Sequence, residues 1–239
     1  MATVRRIDGT RARPARAARK GAPAAVTTSA PPAPRPGQSP RDVARAARES
    51  VYREHILRAA EKVFADQGFD AAKVQDISRL AGLSMGSIYA IFPGKEQIFA
   101  SIIDTRGKQI LGLVRGVVGR GAPPLETLEE LARAYIDFFF DDRDFLRMHI
   151  RTGSAWALRA AYPETRHALS ETIHAMQAEI FARGIADGVF IDEDPAYLSV
   201  LLSGIDQIHL AHWVAGGMKG TREELRERFL RMIRRTFLR

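Results

Sequence analysis

The chain contains no cysteine, which removes disulfides, thiolate catalysis and cysteine-based zinc sites from consideration. No apolar run approaches the ~20 residues needed to cross a bilayer, so Phe138-Phe139-Phe140 reads as core and not as an anchor. The phosphate-cradling GxxxxGK[ST], the dinucleotide-binding GxGxxG and the zinc-binding HExxH patterns are missing. So is the period-two alternation of half-buried strands. Basic excess is lacking everywhere except at the start. Residues 1–50 carry 11 Arg or Lys against 3 acidic residues, which leaves residues 51–239 balanced at 25 of each.

Residues 1–45 are assigned to a disordered basic arm. Proline, alanine and arginine dominate there, and large apolar side chains are too few to offset the entropy of folding. The arm reads either as a sequence-independent attraction for phosphates or as a solubilising tail. An export signal is disfavoured, because the apolar stretch after Arg5-Arg6 is short and broken by Pro23.

Helical periodicity begins at Arg41 and runs to Gln67, ending at Gly68. The stretch Val74–Phe92 then reads as two short helices around a tight corner. Val74, Ile77, Leu80 and Ala81 share one face, and Leu83, Ile88 and Ile91 form a second apolar set. Gly82 permits a left-handed residue at the corner. Ser84 is placed to cap the second helix, whose outer residues Met85, Ser87, Tyr89 and Ala90 are uncharged. Small or hydrogen-bonding side chains of this kind suit a helix in the DNA major groove.

In order, Ile56-Leu57, Ala59-Ala60, Val63-Phe64, Gly68-Phe69, the corner itself, Tyr89, Phe92-Pro93 and Lys95-Glu96 make a set. Together they resemble the DNA-binding domain of the tetracycline-repressor (TetR) family, over residues 50–110 with the motif at 73–92. The resemblance implies a three-helix reading head, a helical effector-binding and dimerisation domain over residues 111–239, a homodimer, and release from double-stranded DNA when a small molecule binds. It also implies DNA contacts from Lys73, Ser84, Met85, Gly86, Ser87, Tyr89, Ala90 and Lys95, and a cytoplasmic location with no membrane partner. Two positions depart from the family pattern: Ala72 stands where a capping threonine is usual, and Ile91 where an aromatic residue or histidine is common. A helical enzyme and a helical protein-binding adaptor are the competing readings.

Behind the head, the pattern predicts an all-α bundle, about nine helices in total. Thr127-x-x-Glu130 and Thr221-x-x-Glu224 resemble capping boxes, and Asp194-Pro195 a helix start. Asp141 to Asp144 read as a solvated loop and cap rather than a calcium site. Aromatic and polarisable residues gather between Tyr135 and Met176. From these, Phe138, Phe139, Met148, His149, Trp156 and His174 are the candidate effector contacts, suited to a largely apolar ligand. Two C-terminal helices each show more than one apolar stripe. They suggest a dimer seam at Leu201, Leu202, Ile205, His209, Leu225, Phe229 and Met232. No catalytic residue, cofactor or metal is expected, since His209 and His212 lack a third local ligand.

Overall fold

The computed structural model describes residues 39–151 and 165–239, without the side chains of residues 165–167. The arm up to residue 38 lies outside them, as do Trp156 and Tyr162 and the side chain of His167. Nine helices are present among the described residues: α1 (Pro40–Gln67), α2 (Val74–Ala81), α3 (Met85–Tyr89), α4 (Lys95–Val118), α5 (Pro124–Asp141), α6 (Arg143–Arg151), α7 (Thr165–Ala186), α8 (Pro195–Ala215) and α9 (Arg222–Phe237). Residues 40–45, expected in the arm, begin α1 instead. Proline at its first position has no N–H to lose there.

The head closes over one apolar centre. Ile56, Ala60 and Phe64 of α1, Ile77 of α2, Ile88 of α3 and Ile98 and Phe99 of α4 are all essentially inaccessible. Phe64, Phe69 and Phe99 form a ring triad with centroids 5.1–5.7 Å apart, a geometry that adds directional preference to area burial. Leu80, expected on the inner face of α2, is half exposed.

In the bundle, α7 packs on α8, α4 on α7, and α5 on α9. Charges rivet the α5–α9 seam: Arg226 and Arg222 reach Asp137 and Asp141, and Arg234 Nε donates to Glu129 at 2.6 Å. The Thr221–Glu224 capping box forms as expected, and Asp194 caps α8 through Ala196 N–H. The Thr127–Glu130 box does not form. Pro123-Pro124 start α5 a turn earlier, so Thr127 Oγ1 donates to the carbonyl of Ala122 and Glu130 pairs with Arg120. Asp142 Oδ1 accepts from Phe145 N–H and caps α6.

The C-terminus is pinned by Phe181, Phe190 and Phe237, whose rings meet at 5.0–5.3 Å. Phe190 lies directly over Gly184, where an added Cβ would sit 2.1 Å from the ring. The ring is buried on all sides and has nowhere to go. Gly184→Ala is therefore expected to lose about 1–3 kcal/mol through overpacking. A denaturant midpoint unchanged from the parent would show that the ring relocates freely.

Candidate DNA-reading head and effector cavity

The corner between α2 and α3 is built from local hydrogen bonds. Gly82 takes φ 65° and its N–H returns to the carbonyl of Ser78, as does that of Leu83 at 3.2 Å. Ser78 Oγ closes the loop onto Leu83 O at 2.6 Å. Ser84 Oγ accepts from Ser87 N–H at 3.1 Å, satisfying one of the free donors of α3. Gly82-Leu83-Ser84-Met85-Gly86 also fits the GxSxG spacing of a nucleophile elbow. That device needs a strand before the serine and a base on its hydroxyl, whereas here a helix precedes it and the hydroxyl serves as a cap.

With Ile88 buried as the anchor of α3, the opposite side faces out: Tyr89 is 50% exposed, Ser84, Gly86 and Ala90 are exposed, and Met85 and Ser87 are half-buried. All eight expected DNA contacts thus lie on accessible or partly accessible surface. Lys73 is among them, exposed at the N-cap of α2. No side chain caps α2, as the buried Ala72 in place of threonine implied. Ile91 is half-buried against the head core.

The eighth, Lys95, is used differently. Its Nζ donates to the carbonyls of Phe69 and Asp70 at 2.9 Å and of Ala72 at 3.2 Å, and sits 4.8 Å from the Phe69 ring centre. An ammonium has three donors, and all three are engaged. In this structure Lys95 is a clasp that holds the loop before α2, where the family resemblance implied a DNA contact.

Two further sets of residues escaped the sequence reading. The first joins head to bundle. Arg106 of α4 forks onto Glu61 of α1, at 2.8 and 2.7 Å, and also pairs with Asp142. Burial pushes the Glu61 carboxyl above its ordinary pKa, against the pull of Arg106. Beside it, α6 grips the end of α1. Arg147 pairs with Asp66 at 2.7 Å, and Arg151 donates to the carbonyls of Ala65 and Asp66 at 3.2 and 2.8 Å. Cations at a helix C-terminus complement its dipole.

The second set lines a cavity of about 20 Å³ where α4, α5, α7 and α8 meet. Its walls are Leu113 and Val114, Leu128, Leu131 and Ala132, with Tyr135, Gln177, Leu202 and Asp206. Gln177 Oε1 and Asp206 Oδ1 are buried there without any hydrogen-bond partner. Burial holds the Asp206 carboxyl well above the usual carboxylate range; burial and then Asp206 raise the Tyr135 phenol. An aspartate inside the apolar run LLSGIDQIHLA was the signal for this site.

The expected effector residues that are described lie elsewhere, and Trp156 is outside the described residues. Phe138 and Phe139 pack with Phe145 and His149 as a ring cluster between α5 and α6, with Phe139 and Phe145 stacked at 5.7 Å. Met148 is buried in the same core. His174 ties α7 to α8 through Ser203 Oγ at 3.0 Å. None of these lines the cavity, because large rings here fill space instead of enclosing it. Of the expected dimer seam, Leu202, His209, Leu225 and Phe229 are buried within the single chain. His209 stacks on Phe229 and its Nε2 lies 3.3 Å from the carbonyl of Leu225, so one chain already covers that stripe. Leu201 and Ile205 are half-buried and Met232 is 42% exposed. No helix among the described residues is long and apolar enough to cross a membrane.

Comparison with known proteins agrees with this division. Residues 56–102 match the model of bacterial regulatory proteins of the tetR family, and residues 121–237 that of the tetracyclin repressor-like C-terminal domain. The chain is 28% identical over 152 residues to the HTH-type transcriptional repressor KstR2 of Mycolicibacterium smegmatis, covering 61% of this chain and 72% of that protein. It is 23% identical over 157 residues to the uncharacterized regulator YuxN of Bacillus subtilis, of which it spans 52%, about half the length. The solved structure of the ketosteroid transcriptional regulator KstR2 of Mycobacterium tuberculosis superposes with a TM-score of 0.67 at 21% identity, over 78% of this chain and 95% of that one. With a helix-turn-helix head matching one model and the bundle matching its partner, the chain belongs to the tetR family and is a DNA-binding transcriptional regulator, not an enzyme.

Proposed function

We propose that the protein is a homodimeric repressor that binds a palindromic operator through α3 and leaves it when a small, largely apolar effector enters the bundle. One observation carries this reading. The cavity is walled by Leu113 and Val114 of α4, and the same helix starts inside the head at Lys95. A molecule that parts α4 from α5, α7 and α8 moves the element that positions the reading helix. If it binds the displaced form better, it must weaken operator binding by the same factor. The apolar walls and the similarity to a regulator named for ketosteroids support a hydrophobic effector.

Dimerisation is supported by the outer side of α8. Tyr197, Val200 and Ile208 are 55%, 50% and 71% exposed there, beside the half-buried Leu201 and Ile205. We therefore draw the seam further out by part of a turn, keeping Leu201, Ile205 and Met232 of the expected set. A second copy is the fitting occupant, because one α3 reads too few base pairs for specificity, and two set about 34 Å apart read a palindrome.

Selecting bound fragments from random DNA tests the whole reading. It is expected to return an inverted repeat held by a particle of twice the 26.5 kDa chain mass. On that operator, Tyr89→Phe should weaken binding by about 1 kcal/mol, the order of a single lost hydrogen bond, with an unaltered melting temperature. Equal affinity in the variant would strike Tyr89 from the contact surface.

A further inference from the structure

The cavity asks for a particular kind of ligand. Six of its nine lining residues are Leu, Val or Ala, and no Arg, Lys or His is among the nine. A free carboxylate or phosphate would find nothing there to balance its charge, and burying an unpaired anion is among the costliest steps in binding. The polar atoms left over are both acceptors, Gln177 Oε1 from α7 and Asp206 Oδ1 from α8. A hydroxyl has one hydrogen to give them. An ammonium has three, and it supplies the cation that Asp206 lacks.

We propose that the effector is a hydrophobic primary amine, its ammonium seated between Asp206 and Gln177 and its hydrocarbon against Leu113, Val114, Leu128, Leu131 and Leu202. The inference rests on the effector-domain reading above and narrows it to a substrate class. Without ligand, burial holds the Asp206 carboxyl well above the usual carboxylate range. As the ammonium enters, the carboxyl gives its proton to solvent, so the buried site stays neutral overall. At about 20 Å³ the cavity holds roughly one water. An amine with an alkyl tail therefore has to part α4 from its neighbours, which is the motion that repression requires to be undone.

Three ligands of one shape test this: hexylamine, hexanol and hexanoate, titrated by calorimetry into the full chain and then into its complex with the selected operator. Hexylamine is expected to bind and to weaken the operator complex by about ten-fold, within the usual range of allosteric coupling. Hexanol should be weaker and hexanoate silent. Asp206→Asn should abolish the hexylamine response while operator binding persists. Should that variant fail to fold, Gln177→Leu provides the second arm, with an expected partial loss. An equal or stronger response to hexanoate or hexanol, no response to hexylamine, or an unaltered hexylamine response in a folded Asp206→Asn overturns the amine assignment and leaves the regulator reading in place. Failure of the unliganded protein to select any DNA overturns that reading itself.

Discussion

Arg106→Ala is expected to cost about 3–4 kcal/mol of folding stability, near the figure for breaking a buried ion pair from one side. The guanidinium forks onto Glu61, touches Asp142 and Gln109, and lies 5.0 Å from the Phe145 ring centre. Glu61 is only 6% exposed, so removing the fork leaves its carboxyl largely buried and without that partner. The cost should therefore come mainly from the stranded carboxyl. Two controls separate that origin from lost packing. The double variant Arg106→Ala with Glu61→Leu should recover most of the stability, because it removes the orphan together with its partner. The deficit should also shrink in acid. Burial already raises Glu61 above its unfolded value of 4.5, even against Arg106, and without Arg106 it rises further. A carboxyl with a raised folded pKa contributes its stability below the unfolded value and loses it as pH climbs through the folded one. Urea denaturation at acid and neutral pH measures this. A deficit equal at both would mean that Glu61 is solvated in the variant.

That cluster sits where head meets bundle, so it bears on regulation too. Glu61 belongs to α1, Arg106 to α4, and Asp142 is the cap of α6. Arg147 and Arg151 of α6 hold the last turn of α1 at the same corner. The head is thereby fastened at two places, by covalent continuity through α4 and by the polar grip of α6. An effector that displaces α4 acts against this second attachment. On the proposed mechanism, the magnitude of coupling would depend on how the Arg106 cluster accommodates the shift, with no contact to the cavity or to α3.

Much of this was legible in the sequence because it rests on local chemistry. The corner needs one left-handed residue and one cap, and Gly82 and Ser84 are consecutive with the helices they join. The helix starts at Asp194 and Thr221 are equally local. What escaped depends on partners far apart in the chain. Glu61 and Arg106 are 45 residues apart, and nothing in the spacing of either announces the other. The cavity was not legible because aromatic richness signals burial without saying whether the space is filled. Phe138, Phe139 and Phe145 fill theirs, whereas the smaller Leu, Val and Ala side chains around Asp206 leave a gap. That Leu202, His209, Leu225 and Phe229 are covered within one chain was not legible either, because a helix apolar on two sides does not declare which side its own chain covers. Here α9 covers His209, and Ile208, one residue back, is left outside.

Lys95→Met distinguishes a clasp from a phosphate contact, and its outcome is expected to favour the clasp. Methionine preserves the aliphatic stem over Phe69 but removes three donors from the carbonyls of Phe69, Asp70 and Ala72. Hydrogen bonds to a charged group contribute about 1.5–3 kcal/mol when buried. This ammonium is only partly shielded, so a total loss of about 2 kcal/mol is the reasonable scale. The loop it releases leads directly into Lys73 and α2, so operator affinity should fall as well, through disorder of the reading head. The two causes leave different traces. Loss of a phosphate contact lowers the slope of log affinity against log salt by about one for each copy of the chain, and leaves the free protein as stable as before. Loss of a clasp lowers the melting temperature of the free protein and leaves the salt slope nearly intact. A reduced slope with unaltered melting would return Lys95 to the DNA surface. It would also mean that the three carbonyls exchange their partner for a phosphate when the operator binds.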